Sequence, residues 1–218
     1  MLNVTLGRQG HELKTLLCLG AHCDDIEIGC GGTILRLTRE HPQLRVHWVV
    51  FSSDPRRAAE ARCSADAFLE NAGGHDVQIK EFRNGYFPSV VADIKDSFEE
   101  LKAAIRPDLI FTHYRNDLHQ DHRVISELTW NTFRNHLVLE YEIPKYDGDL
   151  GTPNLFVPLP ENIWSRKVET LMQCFTSQRD KHWFTPDTFA GLMRLRGVES
   201  NSDSGYAEAF YCRKVVLG

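Results

Sequence analysis

Short apolar runs alternate with amphipathic stretches along most of the chain. Lys14–Gly20 (KTLLCLG) is apolar at successive positions, as a strand covered on both faces of a parallel sheet must be. It runs into Ala21-His22-Cys23-Asp24-Asp25, after which Ile26–Arg39 carries Ile28, Ile34, Leu35 and Leu37 at helical spacing. Arg45–Phe51 (RVHWVVF) repeats the strand pattern and closes on the polar Ser52-Ser53-Asp54. Pro55 suits the first turn of a helix, where its missing N–H would have no partner anyway, and the helix is predicted through Ala72, ended by Gly73-Gly74.

The alternation then repeats. Val77–Phe82 reads as a third strand, and Ser89 as the cap of a helix to Ile105, broken by Arg106-Pro107. Leu109–Thr112 (LIFT) is a further buried strand, His122–Phe133 a helix and Val138–Tyr141 extended. This rhythm predicts right-handed parallel crossovers. Pro144–Pro160, rich in proline, glycine and aspartate, is predicted to be irregular. Glu161–Phe175 and Pro186–Arg196 (capped by Thr185) read as two more helices, and Tyr206–Val216 as a final strand. No repeat or linker divides the chain. The prediction is a single α/β domain over 1–218: a Rossmann-like, mostly parallel sheet with helices on both faces and an elaborated C-terminal third.

Composition narrows the function classes. With 218 residues, 42% hydrophobic and 25% charged, the chain matches a globular protein that needs neither disulfides nor metal merely to fold. A net charge of −5, with no single-sign run, argues against a nucleic-acid or anionic-membrane surface. The apolar run at Leu16–Ala21 is far shorter than the roughly 18 residues of a membrane span, and nothing before it reads as a signal peptide. The six cysteines are dispersed without a C-x-x-C pair and read as reduced thiols, so a cytoplasmic location is expected.

Two polar clusters stand where ligands bind in open α/β sheets, at the carboxyl ends of strands. One is Ala21-His22-Cys23-Asp24-Asp25-Ile26-Glu27; the other runs from His113 to His122 and ends His119-Gln120-Asp121-His122. Each brings imidazole and carboxylate together, the donor set that suits zinc with a coordination position left for water. Either cluster alone is explicable as helix capping. The pair in one sheet is much harder to explain that way.

These segments resemble the signature of the PIG-L/LmbE-like family of zinc-dependent de-N-acetylases: an A-H-P-D-D-x-E segment after the first strand, then H-x-D-H. Gly29, Gly31, Gly32 and Thr33 fit the family's glycine-rich helix start, and weaker matches lie at Arg57-Ala-Ala-Glu60, Ser177-Gln178 and Tyr206–Phe210. Cys23 departs from the family's usual proline. The resemblance implies His22, Asp25 and His122 as ligands of zinc or another divalent metal, Asp24 as general base, and His119 as general acid or, as imidazolium, oxyanion stabiliser. Asp121 is expected to hold the His119 imidazole. Arg57 is the expected substrate-contacting arginine, suited to a phosphate or carboxylate, with a solvated helix-start residue as the alternative. His113 either lines the pocket or ends its strand, and Tyr206 is a weaker substrate-binding candidate, since an aromatic in a terminal strand is more often a core residue. The Cys23 thiol is expected to point away from the metal.

The leading reading is a zinc hydrolase that removes an acetyl group from an N-acetylated amino sugar or its conjugate. A nucleotide-binding Rossmann protein using Gly29–Thr33 is the rival, weakened by the two carboxylates before it, which would repel a pyrophosphate. A non-catalytic sugar-binding relative is a third reading, disfavoured by Asp24 and His119. The sequence leaves the oligomeric state open, although homo-oligomers are common in such a family.

Overall fold

The computed structural model describes residues 12–216. Five strands form a parallel core: β1 (Thr15–Gly20), β2 (Arg45–Val50), β3 (Gly74–Ile79), β4 (Leu109–His113) and β5 (Leu137–Tyr141). Two more, β6 (Leu155–Pro158) and β7 (Ala207–Cys212), extend it antiparallel beyond β5, giving the order β3-β2-β1-β4-β5-β7-β6. The helices are α1 (Asp25–Glu40), α2 (Pro55–Phe68), α3 (Val91–Ala104), α4 (Gln120–Thr132), α5 (Glu161–Cys174) and α6 (Pro186–Glu199).

The apolar runs resolve into two cores because successive strand residues face opposite ways. Leu16, Cys18, Val46, Trp48, Leu109 and Phe111 pack under α1, α2, α5 and α6. Leu17, Leu19, Val49, Ile110 and Val138 pack under α3 and α4. The expected fold class is therefore the observed one. β1 and β4 are neighbours, and the chain leaves them toward opposite edges of the sheet. That reversal opens a crevice at their carboxyl ends, the place where doubly wound sheets bind ligands.

Several boundaries differ from expectation; among them, the final strand is Ala207–Cys212 rather than 206–216, and α2 ends at Phe68 rather than Ala72. The segment 144–160 contains β6, an edge strand paired only to β7 and ending at Pro158. β3 begins at Gly74 and ends at Ile79 rather than spanning 77–82, because its polar Gly74-His75-Asp76 pairs with Arg45–His47. Ser89 does not cap α3: its hydroxyl bonds the Tyr86 carbonyl within a short 3₁₀ turn, Phe87–Ser89, and Val90 precedes the helix.

The glycines of α1 serve packing. A Cβ on Gly29 would run into the Tyr141 ring, and one on Gly31 would lie 2.6 Å from Phe68. At Gly32 a Cβ would meet Glu208 Oε1 at 2.9 Å. That carboxylate accepts the backbone N–H of Gly32 (2.8 Å) and Thr33 (2.6 Å) and pairs with buried Lys167 (2.7 Å), which also donates to the Ile28 carbonyl (2.6 Å). A buried ion pair thus inserts into the helix ladder. Gly29–Thr33 lies inside α1, not in a loop ahead of a helix, so it offers no cradle for a pyrophosphate, and the nucleotide-binding reading is set aside on that ground.

Candidate metal and catalytic site

The site is built from the two loops that follow β1 and β4. After Gly20 the chain makes one tight turn, and the Asp25 carboxylate accepts the His22 backbone N–H at 2.6 Å while opening α1. After His113 the loop 114–119 leads into α4, which carries His122 in its first turn. Sheet pairing of β1 with β4 brings these loops side by side.

Donor atoms of His22, Asp25 and His122 converge between them, both Asp25 oxygens included, within a cluster in which His22, His119 and His122, and Asp25, His113 and His122, each bring ligand atoms within 4.8 Å of one another. His22 Nδ1 lies 3.1 Å from His122 Nε2 and 3.3 Å from Asp25 Oδ2, and His122 Nε2 lies 3.6 Å from Asp25 Oδ1. Tetrahedral ligands bonded to zinc at about 2.0–2.2 Å are roughly 3.3–3.5 Å apart, so this triangle matches the edge of such a site. The far nitrogen of each imidazole is held by a carboxylate. His22 Nε2 is 3.3 Å from Asp121 Oδ2, and His122 Nδ1 is 2.9 Å from Asp117 Oδ2. With the protons directed to those carboxylates, the converging nitrogens carry the lone pairs a metal needs.

The electrostatics favour a cation at this point. Burial works against a charged His22, but the Asp25 charge and the hydrogen bonds to Asp121 and Asp25 outweigh it and hold the imidazole at about 10. A divalent ion would take over the role of that proton. Burial likewise opposes the Asp25 carboxylate, yet His122, His113 and His22 around it keep it well below the usual carboxylate range. Burial and the neighbouring His113 push His122 down to about 3, so it is the neutral imidazole that can ligate.

The other expected residues fall into two groups. Asp24 is buried beside the triangle, and its Oδ1 accepts from Arg57 Nη2 at 2.8 Å. Its Oδ2 makes no protein hydrogen bond among the described residues. His119 caps α4: its Nδ1 accepts the Asp121 backbone N–H at 3.3 Å, and its ring lies 4.9 Å from that of His22 and 4.5 Å from that of His122. Burial, followed by the charge of His22, lowers its pKa. A neutral ring that accepts at Nδ1 carries its proton on Nε2.

Asp121 differs from expectation. Its carboxylate does not touch the His119 ring; it accepts the backbone N–H of Gly85 (2.6 Å) and Phe87 (3.1 Å) and holds His22. Asp121 sits in the first turn of α4 and projects across to the loop before α3, whereas His119 stands outside the helix as its cap.

Arg57 lies on the Asp24 carboxylate itself. Besides Asp24 it reaches Ser177 Oγ at 3.3 Å, and Glu60 accepts from Ser177 N (2.7 Å), Ser177 Oγ (2.6 Å) and Thr176 Oγ1 (3.0 Å). The weak sequence matches at 57–60 and 177–178 are thus one hydrogen-bonded unit. His113 is fully buried behind the triangle. Its Nε2 accepts the Ala21 N–H at 2.9 Å, 3.2 Å from Asp25 Oδ2, and its ring stacks on His122 with centroids 3.9 Å apart. Tyr206 stacks on Trp164 at 4.2 Å, and none of its contacts among the described residues reaches the histidines. The Cys23 thiol turns to the Ser52 carbonyl (3.3 Å), and burial pushes it up to about 12. Asp117 was missed in the sequence. The available signal was a carboxylate five residues before His122 in the same loop.

Comparisons with known proteins bear on the family and the fold. The profile of the PIG-L family, described as GlcNAc-PI de-N-acetylase, matches residues 17–133, which span both loops. The chain is 24% identical to the uncharacterized deacetylase YaiS of Escherichia coli, over 78% of this chain and 96% of that one. Its fold is similar to that of the N,N'-diacetylchitobiose deacetylase from Pyrococcus horikoshii (TM-score 0.68, 19% identity, 92% of this chain and 84% of that one). It is also similar to GalB, the 4-carboxy-2-hydroxymuconate hydratase from Pseudomonas putida (TM-score 0.72, 16% identity, 94% and 99%).

Proposed function

The chain belongs to the PIG-L family of de-N-acetylases, and on that premise we propose that it is a divalent-metal amidohydrolase that removes an acetyl group from the nitrogen of an amino sugar or amino-sugar conjugate. Because the same fold occurs in a protein named as a hydratase, the fold alone does not select the reaction. The observation that carries the proposal is the site: converging donor atoms of His22, Asp25 and His122, with a buried carboxylate, Asp24, beside them.

When bound, zinc or a similar ion supplies Lewis acidity, making water easier to deprotonate and an amide carbonyl easier to attack. Asp24 receives the water's proton at Oδ2, the oxygen that Arg57 leaves open. Arg57 keeps the base oriented through its contact with Oδ1. His119 donates from Nε2–H to the oxygen on which charge develops, as its use of Nδ1 as an acceptor requires. It therefore acts as a neutral donor rather than an imidazolium. The departing amine is neutralised by the proton that Asp24 has taken up. Asp121 and Asp117 hold the two ligand imidazoles, and His113 supports His122 from behind.

The amino-sugar class rests on the family and on the substrate named for the chitobiose deacetylase. Arg57 and Ser177, half-buried at the rim of the Asp24 site, are proposed to meet a polar group of that substrate. A screen of N-acetylated amino sugars for free amine and acetate, before and after chelation and with zinc restored, tests the proposal. Equimolar amine and acetate that disappear on chelation are expected. Unchanged turnover in the fully chelated protein would overturn it.

A further inference from the structure

Beyond the residues that touch the site, we infer that Lys145 is a positioning residue which, through Asp117, fixes the His122 imidazole for metal binding. The inference rests on the metal-site reading above. Lys145 follows β5 at the start of the segment 144–154, far in sequence from both catalytic loops, yet its side chain is only 10% exposed. Its Nζ lies 2.9 Å from Asp117 Oδ2, the same oxygen that His122 Nδ1 approaches at 2.9 Å. The other Asp117 oxygen accepts the His119 backbone N–H at 2.8 Å. Lys145 also reaches Asp149 Oδ2 at 2.5 Å, and that oxygen accepts the Leu118 N–H at 2.7 Å. A tight turn with Gly148 at φ +62° returns Asp149 to this position.

The donors and acceptors in this chain permit one arrangement. An ammonium has three donors and no acceptor, so Lys145 commits Asp117 Oδ2 to accepting. With both Asp117 oxygens accepting, His122 Nδ1 must donate. Its proton is thereby fixed on Nδ1, and the lone pair of Nε2 faces His22 Nδ1 and Asp25. Without Lys145, Asp117 is a buried carboxylate lacking its cation, free to rotate or to turn its other oxygen to the ring. The plane of His122, and with it the direction of the Nε2 lone pair, is then no longer determined. Outer partners of ligand histidines of this kind are worth roughly 10–100-fold in metal affinity.

Two other roles for Lys145 predict different results. If it were only a charge near the site, its removal would delete a cation and tighten binding of a dication. If it only latched the segment 144–154, its removal would lower stability and leave metal affinity unchanged. Zinc affinity, measured by competition with a chromophoric chelator on the full chain, separates them. The positioning role predicts that K145M and K145Q bind zinc about tenfold or more weaker than wild type. K145R, which keeps charge and donors, restores affinity to within about threefold, and D149N, which spares the Lys145–Asp117 contact, stays near wild type. Thermal unfolding of each protein establishes that the variant compared is folded; should one neutral variant fail to fold, the other against K145R decides the question. Wild-type or tighter zinc affinity in a folded K145M or K145Q overturns the inference while leaving the proposed function standing. A wild-type chain that binds no zinc overturns both.

Discussion

Replacing Asp24 with Asn should remove the proposed base while changing little else. Asp24 Oδ1 accepts from Arg57 Nη2 at 2.8 Å, and an asparagine amide oxygen can take that same hydrogen bond. Its NH₂ then occupies the place of Oδ2, where it can donate but cannot accept a proton. Because Asp24 is not one of the three converging ligands, zinc should remain bound. General-base catalysis contributes about 10²–10⁴-fold, which at about 1.36 kcal/mol per decade is roughly 2.7–5.4 kcal/mol of the barrier. The expected result is therefore a kcat lower by about 10²–10⁴ with zinc content unchanged, measured as acetate release together with metal analysis on the same preparation. The loss should fall on kcat and kcat/KM alike, since the interaction is realised only in the transition state. A zinc-loaded Asp24→Asn protein that turns over at the wild-type rate would refute the assignment of Asp24.

Arg57→Ala should lower kcat and not only raise KM, because the guanidinium steadies Asp24; a pure KM effect, read by steady-state kinetics, would return Arg57 to substrate binding alone. Zinc at a hundredfold excess over its Kd should stabilise the wild-type chain by about 2.7 kcal/mol in denaturant unfolding, and His122→Ala should abolish that increment; an undiminished increment would remove His122 from the ligand set. Burial, reinforced by Asp24 and Asp25, holds the Glu27 carboxyl well above its usual range, and neither oxygen has a hydrogen-bond partner among the described residues. The folded state thus keeps a proton that the unfolded state releases above about pH 4.3, so folding loses stability as pH rises from there toward the native value. With chelator present, Glu27→Gln should be more stable than wild type at pH 7, with the difference vanishing below about pH 4; equal stability at both pH values would show that Glu27 is ionised in the fold.

The inner strands of the parallel core were legible because they are buried on both faces and read as unbroken apolar runs, as in KTLLCLG and LIFT. β6 was not. It is a four-residue edge strand, half-exposed and ended by Pro158, so it has neither the apolar run nor the alternation of an inner strand. The cluster of His22, Asp25 and His122 was legible as two local motifs, since each supplies its residues within one turn of a helix start. The partners that orient it were not local. Asp121 neighbours His119 in sequence, yet the turn of α4 aims it at His22, 99 residues away. Arg57 meets Asp24, and Lys145 meets Asp117, only because the sheet order brings their elements to one edge. Side-chain partners set by tertiary packing leave no periodicity in the sequence.

The most direct test is an anomalous-difference map at the zinc edge from crystals of the zinc-loaded protein. The account predicts one peak per chain, bonded to His22 Nδ1, His122 Nε2 and the Asp25 carboxylate at about 2.0–2.2 Å. A peak at Asp25, His113 and His122 instead, or none between the two loops, would contradict it.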